Sequence, residues 1–297
     1  MSSFLSKLAP LVIALRGSKR MFRSQKRTLA KVAHLQEHPD SFEPPAALSR
    51  SHRVIRSDVA EWAVYTVTVK GAAPTGRALY LHGGCYVFEI DPVHWALIGK
   101  LATEAGVAVI VPIMPLAPTG TASVVVAAVA DLAASLIAEV GADNVSVIGD
   151  SSGGGMTLAV AMELRDRHLG PLHATVLIAP WLDISGTDPQ LAVIDPTDPW
   201  LAVPGTHAAG LLYRAELAED DWRVSPIHGS LSGLGPITMF SGTRDILHAD
   251  ASRFVPITAA AGVALDYHVG ADMIHNYPIL PMPEGDTARK VIVEAIR

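Results

Sequence analysis

From residue 61 onward the chain alternates short apolar runs with longer amphipathic stretches, and the length of each run separates strand from helix. Residues 61–70 (EWAVYTVTVK) are rich in β-branched and aromatic side chains and predict a strand. Residues 78–81, 107–111, 145–148 and 174–179 predict short buried strands, with helices between them at 94–105, 122–140 and 152–168. An irregular, proline-containing stretch follows at 183–235. The alternation then resumes with a strand at 237–240, a helix at 249–261, a strand at 264–269 and a last helix near 287–297. Repeated β-α units joined by short loops call for a mostly parallel sheet with helices on both faces. The stretch 183–235 breaks that order and reads as an insertion in it.

The first 50 residues follow a different pattern. Phe4, Leu5, Leu8, Leu11, Val12 and Leu15 fall at helical spacing, Pro10 suits a first helical turn, and Gly17 suits a stop. The apolar run at 8–15 is short, holds a proline and lacks a small-residue cleavage site before Arg16, which argues against a secretion signal. Charge sets this arm apart. Residues 1–36 carry Lys7, Arg16, Lys19, Arg20, Arg23, Lys26, Arg27 and Lys31 and no acid, so the net −6 of the chain is +8 on the arm and −14 on the rest. The apolar stripe of the arm must be covered by something: the body of the protein, which is the favoured expectation, or an anionic membrane surface.

Composition narrows the class. With 49% hydrophobic residues the chain can build one large core. Cys85 is the single cysteine, so no intrachain disulfide forms. No apolar run approaches the roughly 18 residues of a bilayer span. The expected location is cytoplasmic. Asn144-Val145-Ser146 matches a glycosylation acceptor but falls in a predicted buried strand, so it is read as chance.

The chemistry gathers at the ends of the predicted strands. Gly149-Asp150-Ser151-Ser152-Gly153 fits G-x-S-x-G, with an apolar strand running into it and a long helix leaving it. A nucleophile on so tight a turn has strained dihedrals, and the flanking glycines relieve the crowding. His82-Gly83-Gly84 follows strand 78–81, where backbone N–H groups of Gly83, Gly84 and Ser152 could hold an oxyanion. Asp245 follows strand 237–240 and His275 follows strand 264–269, giving the order Ser, Asp, His expected of this arrangement. Asp266 and Asp272 are rival acids. The first lies within a strand and the second only three residues from His275, so both rank below Asp245.

Taken together, these residues resemble the hormone-sensitive-lipase-like (bacterial family IV) esterases. The resemblance covers most of residues 75–280, through LHGGCYVF (81–88), DPVHWAL (91–97), PLAP (115–118), GDSSGG (149–154), APWLDIS (179–185), SP (225–226), GTRDIL (242–247) and MIH (273–275). It implies an α/β-hydrolase fold with a helical cap, divided into an N-terminal cap segment (1–50), a first core part (51–182), a cap insertion (183–235) and a second core part (236–297). It implies a triad of Ser151, Asp245 and His275, an oxyanion hole of Gly83, Gly84 and Ser152, and hydrolysis of short- to medium-chain esters. The sequence departs from the family pattern in three places. HGGG becomes HGGC at Cys85, Tyr-Arg-Leu-Ala-Pro-Glu becomes residues 114–119 (MPLAPT), and Glu89 replaces a common glycine.

Other readings carry less. His34-Leu35-Gln36-Glu37-His38 matches H-x-x-E-H, but Pro39 ends the helix there and no third ligand is evident, so neither a metal nor a cofactor is expected. Nucleic-acid binding by the arm is disfavoured by its small size and the acidic body. Acyl transfer to an alcohol would use the same residues, and a non-catalytic small-molecule-binding protein would be expected to have lost one of them. The expected partner is a small-molecule ester, with homo-oligomerisation left open.

Overall fold

The structure, a computed structural model, describes residues 3–15, 17–59 and 62–297. The arm forms α1 (Phe4–Leu15), α2 (Ser18–Phe22), α3 (Gln25–Glu37) and the short α4 (Leu48–Ser51). The first half of the core follows as β1 (His52–Val59), β2 (Trp62–Val69), β3 (Arg77–Leu81), α5 (Pro92–Ala105), β4 (Ala108–Pro112), α6 (Ala122–Val140), β5 (Val145–Asp150), α7 (Ser152–Asp166) and β6 (Ala174–Ile178). The stretch 183–235 holds α8 (Leu191–Ile194) and α9 (Val203–Arg214). The chain ends with β7 (Ile237–Gly242), α10 (His248–Ala260), β8 (Leu265–Gly270) and α11 (Pro283–Ile296).

The eight strands make one sheet in the order β1-β2-β4-β3-β5-β6-β7-β8. Only β1 and β2 run antiparallel to their neighbours. The central strands β4, β5 and β6 are buried on both faces, as a parallel sheet between two helical layers requires. The parallel strands present their carboxyl ends to one edge, and residues 82, 151, 245 and 275 all follow strands that end there.

Strand β1 and helix α9 are among the elements that escaped the sequence reading. Strand β1 (HRVIRSDV) is an edge strand with mostly exposed residues and three charges, so it lacks the apolar signal of a core strand. Helix α9 (VPGTHAAGLLYR) carries two glycines and a proline, a poor helical composition that packing overrides. A Cβ on Gly205 would lie 2.5 Å from the Phe22 Cα, so glycine is what lets α9 touch the arm.

The arm divides in two. α2 and α3 bury Phe22, Thr28, Val32 and Leu35 and pack on α9. α1 does not meet the expectation of a covered stripe. Its buried positions are Ser6, Pro10 and Ile13, while Phe4, Leu5, Leu8, Leu11, Val12 and Leu15 face solvent. Hydrogen bonds from Ser3 and Ser6 to Glu284 of α11 fix this orientation. Pro10 stands in the middle of α1, not its first turn, at the cost of one backbone hydrogen bond. A further correction concerns α6, which is long and apolar enough to cross a membrane by length and composition. Here it lies on the sheet, burying Val125, Val126, Val129 and Ala133, and its Asp131 pairs with Arg167.

Candidate active site

Ser151 sits between β5 and α7 with φ 55° and ψ −122°, a region that costs a non-glycine residue energy. Packing holds it there. Its N–H donates to the Ile178 carbonyl, and its own carbonyl accepts from Gly155 and Trp181. The glycines of the motif are needed for contact: a Cβ on Gly149 would come within 2.2 Å of the Gly153 carbonyl oxygen, and one on Gly153 within 2.0 Å of the Leu81 carbonyl oxygen.

The elbow aims the hydroxyl at an imidazole. Ser151 Oγ lies 3.0 Å from His275 Nε2, and His275 Nδ1 donates to Asp245 Oδ2 at 2.8 Å. The other Asp245 oxygen accepts the Leu247 N–H at 2.9 Å, which orients the carboxylate. All three side chains are buried. Burial opposes the charged form of His275, but the Asp245 carboxylate outweighs it and raises the imidazole above its ordinary value, with help from Asp198 and Asp150. Asp266 instead pairs with His268 on the surface, and Asp272 is exposed.

Behind the nucleophile, the Asp150 carboxylate is fully buried and collects four donors. They are Tyr80 Oη at 2.6 Å, Asn276 Nδ2 at 2.7 Å, the Gly83 N–H at 3.1 Å and His94 Nε2 at 3.2 Å. Burial alone would neutralise both Asp150 and His94. Their mutual attraction prevails, lowering Asp150 to about 2 and raising His94 to about 10. His94 Nδ1 lies 3.0 Å from the Asp91 backbone nitrogen and 3.1 Å from Asp91 Oδ1. His82, buried beside His94, is driven down to about 4, mainly by desolvation, and stays neutral.

This network corrects the expected oxyanion donors. The Gly83 N–H is already given to Asp150, because a glycine there lets the loop lie against the Asp150 carboxylate. Among the described residues, the N–H groups of Gly84, Cys85 and Ser152 have no intramolecular partner. Gly84 (φ 129°), Cys85 (φ 52°) and Tyr86 (φ 64°) take three successive positive φ angles in this loop, and the Tyr86 N–H donates to Ser152 Oγ at 3.2 Å. Cys85 is buried, and desolvation pushes its thiol up to about 12, so it remains protonated and unreactive.

Ser151, His275, Gly84 and Cys85 line one cavity of about 400 Å³. The arm closes it with Met21, Phe22 and Lys31, and the insertion with Trp200 and Leu201. The Trp200 ring stands edge-on to His275 at 5.4 Å. Asp198 secures this contact: it accepts the N–H groups of Trp200 (2.7 Å) and Leu201 (2.9 Å), and its second oxygen accepts the Ile246 N–H of the Asp245 loop (3.0 Å). Burial and the neighbouring Asp245 charge raise Asp198 to about 6. Glu89 also lines the cavity. Burial lifts its carboxyl to about 7, and among the described residues its Oε2 has no partner.

Residues 78–279 match the family described as the alpha/beta hydrolase fold. The chain belongs to the α/β-hydrolase family. It is 31% identical over 247 residues to an acetyl-hydrolase of Streptomyces hygroscopicus, covering 78% of this chain and 77% of that one. It is 32% identical over 216 residues, 72% of this chain, to a triacylglycerol lipase of Mycobacterium tuberculosis, of whose length it spans 45%. Among solved structures, an esterase of the bacterial hormone-sensitive lipase family superposes with a TM-score of 0.77 at 26% identity, covering 92% of this chain and 97% of that one. These relatives make the protein a hormone-sensitive-lipase-like esterase, a hydrolase of ester bonds.

Several residues of this α/β-hydrolase's site went unassigned in the sequence. Asp150 was the variable position inside G-x-S-x-G, Asn276 the neighbour of His275, and His94 lay in a segment quoted only for its resemblance. Asp198 and Trp200 sit in the insertion, where no motif marks them. His34 and His38 are at the surface with their rings stacked, and among the described residues no group of three or more His, Cys, Asp or Glu could hold a metal ion.

Proposed function

We propose that the enzyme cleaves short- to medium-chain acyl esters through an acyl-enzyme on Ser151. The observation that carries this reading is the unbroken hydrogen-bonded line from Ser151 Oγ through His275 to Asp245 at 3.0 and 2.8 Å. His275 takes the Ser151 proton as Oγ attacks the ester carbonyl, and Asp245 stabilises the imidazolium and fixes its tautomer. The oxyanion rests on the N–H groups of Gly84, Cys85 and Ser152, aided by the positive end of α7. The imidazolium then protonates the departing alcohol. A water deprotonated by His275 attacks the acyl-enzyme, and collapse of that second intermediate returns Ser151. The cavity of about 400 Å³ is near the small end of ligand pockets, which suits short and medium acyl chains. The arm and the insertion act as its cap.

The pH profile tests this mechanism. The reaction needs neutral His275, whose proton affinity is raised in the fold, so the acid limb of kcat/KM is expected above the ordinary histidine value of 6.5. Asp198→Asn removes one of the charges that raise it and should move the limb to lower pH, while Trp200 loses part of its anchorage. An acid limb below 6.5, or one that Asp198→Asn leaves in place, would show that His275 is not the titrating base in this field.

A further inference from the structure

Helix α1 turns most of its large apolar side chains outward. Ser6, Pro10 and Ile13 are buried, and Ser3 and Ser6 bond to Glu284. Phe4, Leu5, Leu8, Leu11, Val12 and Leu15 are between 37% and 88% exposed. At 100° per residue they span an arc of about 120°, uninterrupted by a polar side chain and bordered by Lys7. Six large apolar side chains side by side in water are not what a surface helix of a monomer presents.

The segment just beyond α1 is strongly basic. Arg20, Arg23, Lys26, Arg27 and Lys31 are exposed, as is Lys7, and no acid precedes Glu37. Among the described residues, Lys19 is the one basic side chain of the arm in an ion pair, with Asp195.

We propose that α1 docks the enzyme on an anionic lipid surface, with its apolar arc in the boundary between headgroups and acyl chains and the basic side chains of α1–α3 over the lipid phosphates. Charge selects this occupant. A second copy placed face to face would bring two basic arms together, and a neutral apolar partner would leave the cations unanswered. A bilayer with negative headgroups answers both features at once. The geometry also serves the site, because Gly17 and Ser18, the turn after α1, line the cavity that holds Ser151. A docked helix therefore sets the cavity rim beside the bilayer.

The test is sedimentation of the full chain with vesicles of phosphatidylcholine alone and of phosphatidylcholine mixed with phosphatidylglycerol, at low and high salt. Turnover of a water-soluble nitrophenyl ester is followed in parallel. The protein is expected to pellet with the mixed vesicles at low salt, to be released by salt, and to bind pure phosphatidylcholine at least about tenfold more weakly. Leu11→Glu with Leu15→Glu should weaken binding at least about tenfold and leave soluble-ester turnover unchanged. Arg20→Gln with Lys26→Gln should weaken binding to the mixed vesicles by about fivefold for each charge removed. Equal partition to both vesicle types, undiminished binding of the double Glu variant, or no pelleting would each overturn the proposal. A two-chain mass in solution, reduced to one by the double Glu variant, would assign the face to a second copy instead. Binding is read without catalysis, so a failure of the triad mechanism would not be mistaken for a failure of docking.

Discussion

Replacing Ser151 with alanine is expected to lower kcat/KM for ester hydrolysis by about 10⁴-fold or more, with stability nearly unchanged. The side chain makes one hydrogen bond, to His275, so its removal strands no buried donor other than that imidazole. The strained turn is held by backbone bonds that alanine retains, and alanine at φ 55° is as strained as serine. The loss should therefore fall on kcat. Steady-state kinetics beside a urea titration will separate the two effects. A folded variant that kept a hundredth of the wild-type rate would remove Ser151 from the chemistry.

The second large effect is on stability. Asp150→Asn is expected to destabilise the protein by about 3–5 kcal/mol and to reduce activity. Four donors converge on the carboxylate, so an amide leaves a single oxygen to receive them, and His94 loses its buried counter-charge. The oxyanion loop and the His275 loop are tied to this carboxylate through Gly83 and Asn276, so both should loosen. The pair also sets a pH window. Asp150 is lowered in the fold, so its contribution is complete above the unfolded value of 3.8 and is lost as pH falls toward about 2. His94 is raised, so its contribution is complete below 6.5 and is lost as pH climbs toward about 10. The difference in urea midpoint between wild type and Asp150→Asn should thus be largest between about pH 4 and 6.5. A difference independent of pH would mean that His94 and Asp150 are not an ion pair.

Much of this architecture was legible because the core strands are short, apolar and β-branched, and because the residues with chemistry follow them directly. Ser151, Asp245 and His275 could be read from their positions after strands 145–148, 237–240 and 264–269. What was not legible depends on partners distant in sequence. A glycine in a turn does not reveal that its N–H is already used, so Gly83 looked as suitable as Gly84 until Asp150 was seen against it. Asp198 has no local pattern, since its role arises from contact with the Asp245 loop 48 residues away. The apolar stripe of α1 was legible as helix, but which side would face the protein was not. Six aliphatic and aromatic side chains suggested burial, whereas two serines and Glu284 fixed the opposite orientation.

The most direct test of the Ser151 mechanism is covalent trapping. The protein is treated with an organophosphate, its intact mass is measured, and the modified peptide is sequenced. The account predicts one phosphoryl group per chain, carried by Ser151, with ester hydrolysis lost in proportion to labelling and no adduct in Ser151→Ala. Labelling at another residue, or undiminished hydrolysis by fully labelled protein, would contradict it.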